Sequence, residues 1–134
     1  VKQILLVDDD PDILATLRCA LEAGGFAVDV ARDGREALAQ ARAAPPDLIV
    51  LDVMLPGMNG YETARWLKAE MRTGALPPFK ILMLTARRVA SSARQEFLAT
   101  WSGADAQLWK PFDLGVLVHE VQALLAASTA EVDA

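Results

Sequence analysis

Three consecutive carboxylates, Asp8, Asp9 and Asp10, follow directly on the apolar run Ile4-Leu5-Leu6-Val7. Farther along, Asp52 follows "LIVL", Thr85 follows "ILML", and Lys110 stands before Pro111. Each closes a short apolar stretch. If those stretches are neighbouring strands, carboxylates, a hydroxyl and an ammonium gather at one edge of a sheet. Like charges side by side repel, and clustered carboxylates tolerate one another when a divalent cation lies between them. Oxygen ligands suit Mg²⁺, which keeps several waters and needs only a few protein groups. A cation and an ammonium together neutralise the oxygens of a phosphoryl group. A carboxylate can accept that group as an acyl phosphate. The chemistry open to this constellation is phosphoryl transfer, which demands positioning and charge neutralisation more than acid–base machinery.

The elements that would hold these residues can be read from the pattern. Strands are predicted over Lys2–Val7, Ala27–Ala31, Asp47–Leu51, Lys80–Leu84 and Ala106–Trp109. The third is continuously apolar, as expected of a strand buried on both faces. Between them lie helical patterns. The first carries Ile13, Leu14, Leu17, Ala20 and Leu21 at spacings of three and four. Asp10 suits its cap, Pro11 its first turn, and Gly24-Gly25 its end. This makes Asp10 a capping residue rather than a member of the acidic site. A second helix covers Gly34 to Arg42, and a third starts near Asn59, with Glu62 completing a possible capping box. A fourth covers Val89 to Trp101 and a fifth Asp113 to Ala127. Asp33-Gly34 and Asn59-Gly60 therefore start helices rather than turn hairpins. Strict β–α alternation implies a parallel sheet with helices on both faces. In such sheets the ligand crevice lies at the carboxyl ends of the strands, where the chemical residues are.

Composition bounds the rest. The 134 residues favour one domain, and 53% hydrophobic with 23% charged residues reads as globular. A net charge of -5 lacks the basic footprint of direct nucleic-acid binding. The single cysteine, Cys19, allows no internal disulfide, fits a reducing, cytoplasmic setting, and reads as a packed thiol. No apolar run is long enough to span a bilayer, and no signal peptide is evident. Residues 1–127 read as the domain and 128–134 as a polar tail that frays or begins a linker.

The motifs "LLVDDDP", "DLIVLDVMLPGMNGYE", "ILMLTA" and "LWKPF", in this order, resemble the receiver domains of two-component response regulators. Each motif alone is weak; together they are specific, and the resemblance covers Lys2 to Ala126. It implies a flavodoxin-like (βα)5 fold with a five-stranded parallel sheet of order 2-1-3-4-5. It also implies roles. Asp52 matches the phosphoryl acceptor, Asp9 a direct Mg²⁺ ligand, Asp8 an assisting one, and the backbone carbonyl of Met54 a further ligand. Thr85 matches the hydroxyl that turns toward the phosphoryl group, and Lys110 the lysine that pairs with its oxygen. The Lys110-Pro111 peptide is cis in most relatives. The phosphoryl donor would be a phosphohistidine on a sensor histidine kinase or histidine phosphotransfer protein, and the signal would pass to an output domain or effector protein. His119, on the last helix, reads as a surface residue and not as a phosphate carrier.

The pattern departs from the family in three places. Receivers usually carry Tyr or Phe three residues before the lysine, where this chain has Gln107. Trp109, two residues on, falls on the same strand face and either replaces part of that ring or simply packs. The segment from Thr85 to Lys110 is longer than usual, and its Phe97 and Trp101 either fill core, the preferred reading, or form an exposed partner patch. The loop "RTGALPPFK" is also long and lies at the end of the sheet remote from the acids. Two competing functions follow. A degenerate receiver would bind partners without phosphorylation, which Gln107 favours and the intact acidic set opposes. A hydrolase with an aspartate nucleophile on the first strand would use Asp8 and Asp10, which the capping role of Asp10 opposes. No G-x-G-x-x-G follows the first strand, which disfavours a dinucleotide binder.

Overall fold

The computed structural model describes residues 1–86 and 92–133. Five strands, β1 (Gln3–Val7), β2 (Ala27–Ala31), β3 (Leu48–Asp52), β4 (Lys80–Ala86) and β5 (Ala106–Lys110), alternate with five helices. These are α1 (Pro11–Ala23), α2 (Gly34–Ala43), α3 (Gly60–Thr73), α4 (Ser92–Ser102) and α5 (Leu114–Asp133). The strands form one parallel sheet of order β2-β1-β3-β4-β5.

Alternation along the strands sorts the core into two layers. Leu5, Val7, Ile49, Leu51, Ile81 and Met83 face α2 and α3, meeting Leu38 and Leu67. Ile4, Leu6, Leu48, Val50, Leu82 and Leu84 face α1 and α5, meeting Leu17, Leu21, Leu117 and Val121. All five residues of β3 are buried, as a central parallel strand requires.

The helix starts follow their capping residues. The Asp10 carboxylate accepts from Asp12 N at 2.9 Å, with Pro11 in the first turn. Asp33 accepts from Glu36 N at 2.8 Å. Asn59 and Glu62 form a reciprocal capping box on α3. The Lys110-Pro111 peptide is cis.

Several expectations need correction. Cys19 is exposed, not packed: it sits on the solvent side of α1, beside rather than within the stripe of Leu14, Leu17 and Leu21. Phe97 is 65% exposed, whereas Trp101, also on α4, is partly buried against the core. The loop before β4 lies remote from the acids, as expected, and is anchored to the core by the buried Leu76 and Phe79. Asp47 lies just outside β3 and ties it to β1, its carboxylate accepting from Gln3 N at 2.7 Å. The expected start of α4 at Val89 lies outside the described residues. α5 runs past Ala127 to Asp133, a stretch without Gly or Pro to stop it.

Candidate functional site

The strand order reverses beside β1, whose neighbours are β2 on one side and β3 on the other. The crevice above that point is where open α/β sheets bind ligands. Asp8 follows β1 and Asp52 ends β3, so both stand at it. Asp8 is 1% and Asp52 4% exposed, while Asp9 is exposed. One carboxylate oxygen from each of the three lies within 4.8 Å of the others. This is the spacing at which one small cation could touch all three, and their hard oxygens fit Mg²⁺. Asp8, Asp9, Asp52, Met54 and Asn59 line an open cleft of about 540 Å³, with Ile13 on its rim.

The buried oxygens of the site differ in their partners. Asp52 Oδ1 accepts from Lys110 Nζ at 3.2 Å and from Met54 N at 3.2 Å. Asp8 Oδ1 accepts from Asp10 N at 2.9 Å. Asp8 Oδ2 and Thr85 Oγ1 are buried with no partner among the described residues. Buried polar atoms are normally satisfied, and each orphan costs free energy. Burial, reinforced by the neighbouring Asp52 and opposed by the Asp10 N–H, raises the Asp8 carboxyl from an ordinary 3.8 to about 6. Both orphans fit a metal-and-phosphoryl site: Asp8 Oδ2 could meet a cation, and Thr85 Oγ1 could donate to an oxyanion.

The local fold holds Asp52 rigidly. Val53 N donates to Leu84 O at 3.1 Å, and the chain then doubles back so that Gly60 N donates to Val53 O at 2.9 Å. A Cβ at Gly60 would lie 2.3 Å from Asp52 O, so α3 begins this close to the acid only because residue 60 is glycine. Sequence reasoning treated Gly60 as part of a helix start and missed its closeness to the site. The signal was there, a glycine placed directly after the capping Asn59.

Thr85 lies at the end of β4, and Lys110 at the end of β5 reaches back over it to Asp52. Met54 follows Asp52 with its side chain 64% exposed at the cleft mouth. Asp10 borders the cleft, with its Oδ1 engaged in the α1 cap. His119 is exposed on α5, as expected of a surface residue. On β5, Ala106 and Leu108 pack toward α1 and α5, so Gln107 and Trp109 take the other face. Both are half-buried. Trp109 is the register partner of Thr85, and Gln107 that of Met83, one pleat farther from the acids.

Comparison with known proteins agrees with this geometry. A family model described as "Response regulator receiver domain" matches residues 4–122. Response regulator MprA of Mycolicibacterium vanbaalenii is 42% identical over 127 residues, which are 95% of this chain and 52% of that protein. DNA-binding response regulator MtrA of Mycolicibacterium smegmatis is 41% identical over 124 residues, 92% of this chain and 50% of that one. The chain thus spans about half the length of these curated relatives. Chemotaxis protein CheY4 of Vibrio cholerae superposes with a TM-score of 0.79 at 34% identity, covering 92% of this chain and 98% of that one. No helix among the described residues is long and apolar enough to cross a membrane.

Proposed function

Because this chain belongs to the response regulator receiver family, a family of signalling modules, we propose that it accepts a phosphoryl group on Asp52 and thereby switches its protein contacts. The observation that carries the reading is a pair of buried atoms without a partner among the described residues, Asp8 Oδ2 and Thr85 Oγ1, beside a buried Asp52 that Lys110 already engages. Such an arrangement is costly unless it serves a ligand with both a cation and oxyanions.

In the proposed reaction a carboxylate oxygen of Asp52 attacks the phosphorus of a phosphohistidine on a partner kinase or phosphotransfer protein. The P–N bond breaks as the P–O bond forms, and the leaving imidazole takes up a proton. Asp8, Asp9, Asp52 and the Met54 carbonyl would hold Mg²⁺, which when bound supplies charge neutralisation to the phosphoryl oxygens. Lys110 exchanges its bond to Asp52 Oδ1 for one to a phosphoryl oxygen. Thr85 gives its unused hydroxyl to another. The chain turns over no free metabolite and catalyses only its own phosphorylation and hydrolysis.

The domain comprises residues 1–127 and works in the cytoplasm; the polar stretch 128–134, into which α5 continues as far as Asp133, is a tail or the start of a linker. Its output is read by an attached domain, as the DNA-binding name of the half-matched MtrA suggests, or by a separate effector.

The test is intact mass after incubation with acetyl phosphate and Mg²⁺. One phosphoryl group should be gained by the parent and none by Asp52→Asn or in EDTA. Equal labelling of the Asn variant would refute the assignment. Failure of the parent to label, with partner binding retained, would favour the phosphorylation-independent module.

A further inference from the structure

Two cations on α3, one turn apart, both grip the corner where α4 gives way to β5. The Arg65 guanidinium lies 4.5 Å from the centroid of the Trp101 ring. Its Nη1 also donates to Trp101 O at 2.9 Å, which satisfies a carbonyl of the last turn of α4. Lys68 lays its aliphatic stem against Gly103, whose φ of +78 turns the chain out of the helix; a Cβ there would lie 3.2 Å from Lys68 Cγ. The Lys68 Nζ then pairs with Asp105 Oδ2 at 2.9 Å. That same oxygen accepts from Ile81 N at 2.7 Å, and Asp105 N donates to Ile81 O at 2.9 Å. Between the two grips, the buried Ser102 donates to Ala99 O at 2.7 Å and accepts from Ala104 N at 3.2 Å. The corner is therefore bonded to α3, to the start of β4 and to itself.

We propose that Arg65 and Lys68 form a clamp that fixes the C-terminal end of α4 in both the resting and the activated protein, so that any rearrangement begun at Thr85 turns α4 about the Ser102–Gly103 corner instead of displacing the whole helix. Geometry supports the division. Thr85 lies four residues beyond Ile81 on β4, about 13 Å from the clamp, and none of the clamp's bonds passes through the acidic site. The charged pairs also suit the position, since cations favour the negative end of a helix. Arg65 adds a planar face that a lysine could not offer to Trp101.

This inference rests on the proposed phosphoryl switch for the activated state, and two readouts keep the failures apart. The first is hydrogen exchange of the amides from Ala99 to Asp105 in the resting protein. Arg65→Leu with Lys68→Met should lose protection there by tenfold or more, and Lys68→Met alone by less. Exchange equal to the parent overturns the clamp whether or not the site binds anything. The second is titration of the full chain with beryllofluoride and Mg²⁺, a phosphoryl mimic. The parent should keep its protection from Ala99 to Asp105 while NMR shifts appear around Thr85; loosening of the corner overturns the proposal. A restraint equal in two states cannot bias the equilibrium between them. Beryllofluoride affinity in the double variant should therefore stay within twofold of the parent. A clamp that had to open would oppose activation, so affinity tightened by threefold or more also overturns the proposal. An absence of shifts at Thr85 in the parent would count against the phosphoryl site, and the resting exchange would then decide the clamp.

Discussion

Lys110 Nζ lies 3.2 Å from Asp52 Oδ1, joining the ends of β5 and β3 across β4. The pair is half-open to solvent on the lysine side, with side-chain exposures of 31% and 6%. Its stabilising effect is therefore modest, about 1 kcal/mol. Its effect on phosphoryl transfer is larger, because the ammonium would meet charge that builds only as the bond forms. Lys110→Met is expected to lower the melting temperature slightly and to slow acetyl phosphate labelling about tenfold or more. Labelling at the parental rate would remove Lys110 from the site.

Mg²⁺ should stabilise the folded chain by mass action, since the three oxygens converge only in the fold. At Mg²⁺ concentrations ~100-fold above its dissociation constant the gain is about 2.7 kcal/mol. That corresponds to a rise in melting temperature on the order of 10 °C for a domain of this size. Asp9→Ala should flatten the response at constant ionic strength. A parent melting point indifferent to Mg²⁺ would argue against a cation site.

The raised carboxyl of Asp8 gives a pH signature. Its folded form holds a proton up to about pH 6, whereas the unfolded chain releases it near 3.8. The folded state thus binds more protons across that window, and stability falls as pH rises through it. The full effect is at most about 3 kcal/mol. Asp8→Asn should erase this contribution, making the variant more stable than the metal-free parent above pH 6 and not below pH 4. Denaturant melts of both proteins between pH 3.5 and 7 in EDTA measure the difference. Parallel curves would show that Asp8 titrates normally.

Gly60→Ala should be disproportionately harmful for one methyl group. The added carbon collides with backbone at Asp52 and Val53, which cannot swing aside as a side chain could. A destabilisation of about 1–3 kcal/mol is expected, with slower labelling because the strand end that carries Asp52 must shift. Gly57→Ala makes a control, having a positive φ but no neighbour among the described residues within contact of a Cβ. If Gly60→Ala were no worse in labelling than Gly57→Ala, the close packing at residue 60 would be unrelated to the site.

Trp109 should report the state of the site, being the register partner of Thr85 and half-buried beside it. Gln107 stands one pleat farther off, and burying its amide without a partner would cost about 1–3 kcal/mol. With Trp66→Phe and Trp101→Phe in place, beryllofluoride should change the fluorescence of Trp109, and Asp52→Asn should abolish the change. An unaltered signal while NMR shifts appear around Thr85 would make Trp109 a packing residue.

The order of elements and the acidic edge were legible in the residues because both depend on local regularities. Alternating apolar runs fix strands, and capping chemistry at Asp10, Asp33 and Asn59 fixes helix starts. Once the strands are parallel, the residues that end them must share an edge, so Asp8, Asp52, Thr85 and Lys110 could be grouped from the chain alone. Spacing along a chain carries no information on which atoms lose their water. Only the tertiary structure decided that Asp8 and Asp52 are buried while Asp9 is exposed, and that Asp8 Oδ2 and Thr85 Oγ1 lack partners among the described residues. Cys19 and Phe97 show the same limit, since a helix's apolar stripe is only as wide as the neighbour that covers it. The closeness of Gly60 to Asp52 and the grip of Arg65 and Lys68 on the α4–β5 corner arise where elements distant in sequence meet. Such contacts follow from how the helices dock on the sheet, which long-range packing determines and local pattern does not.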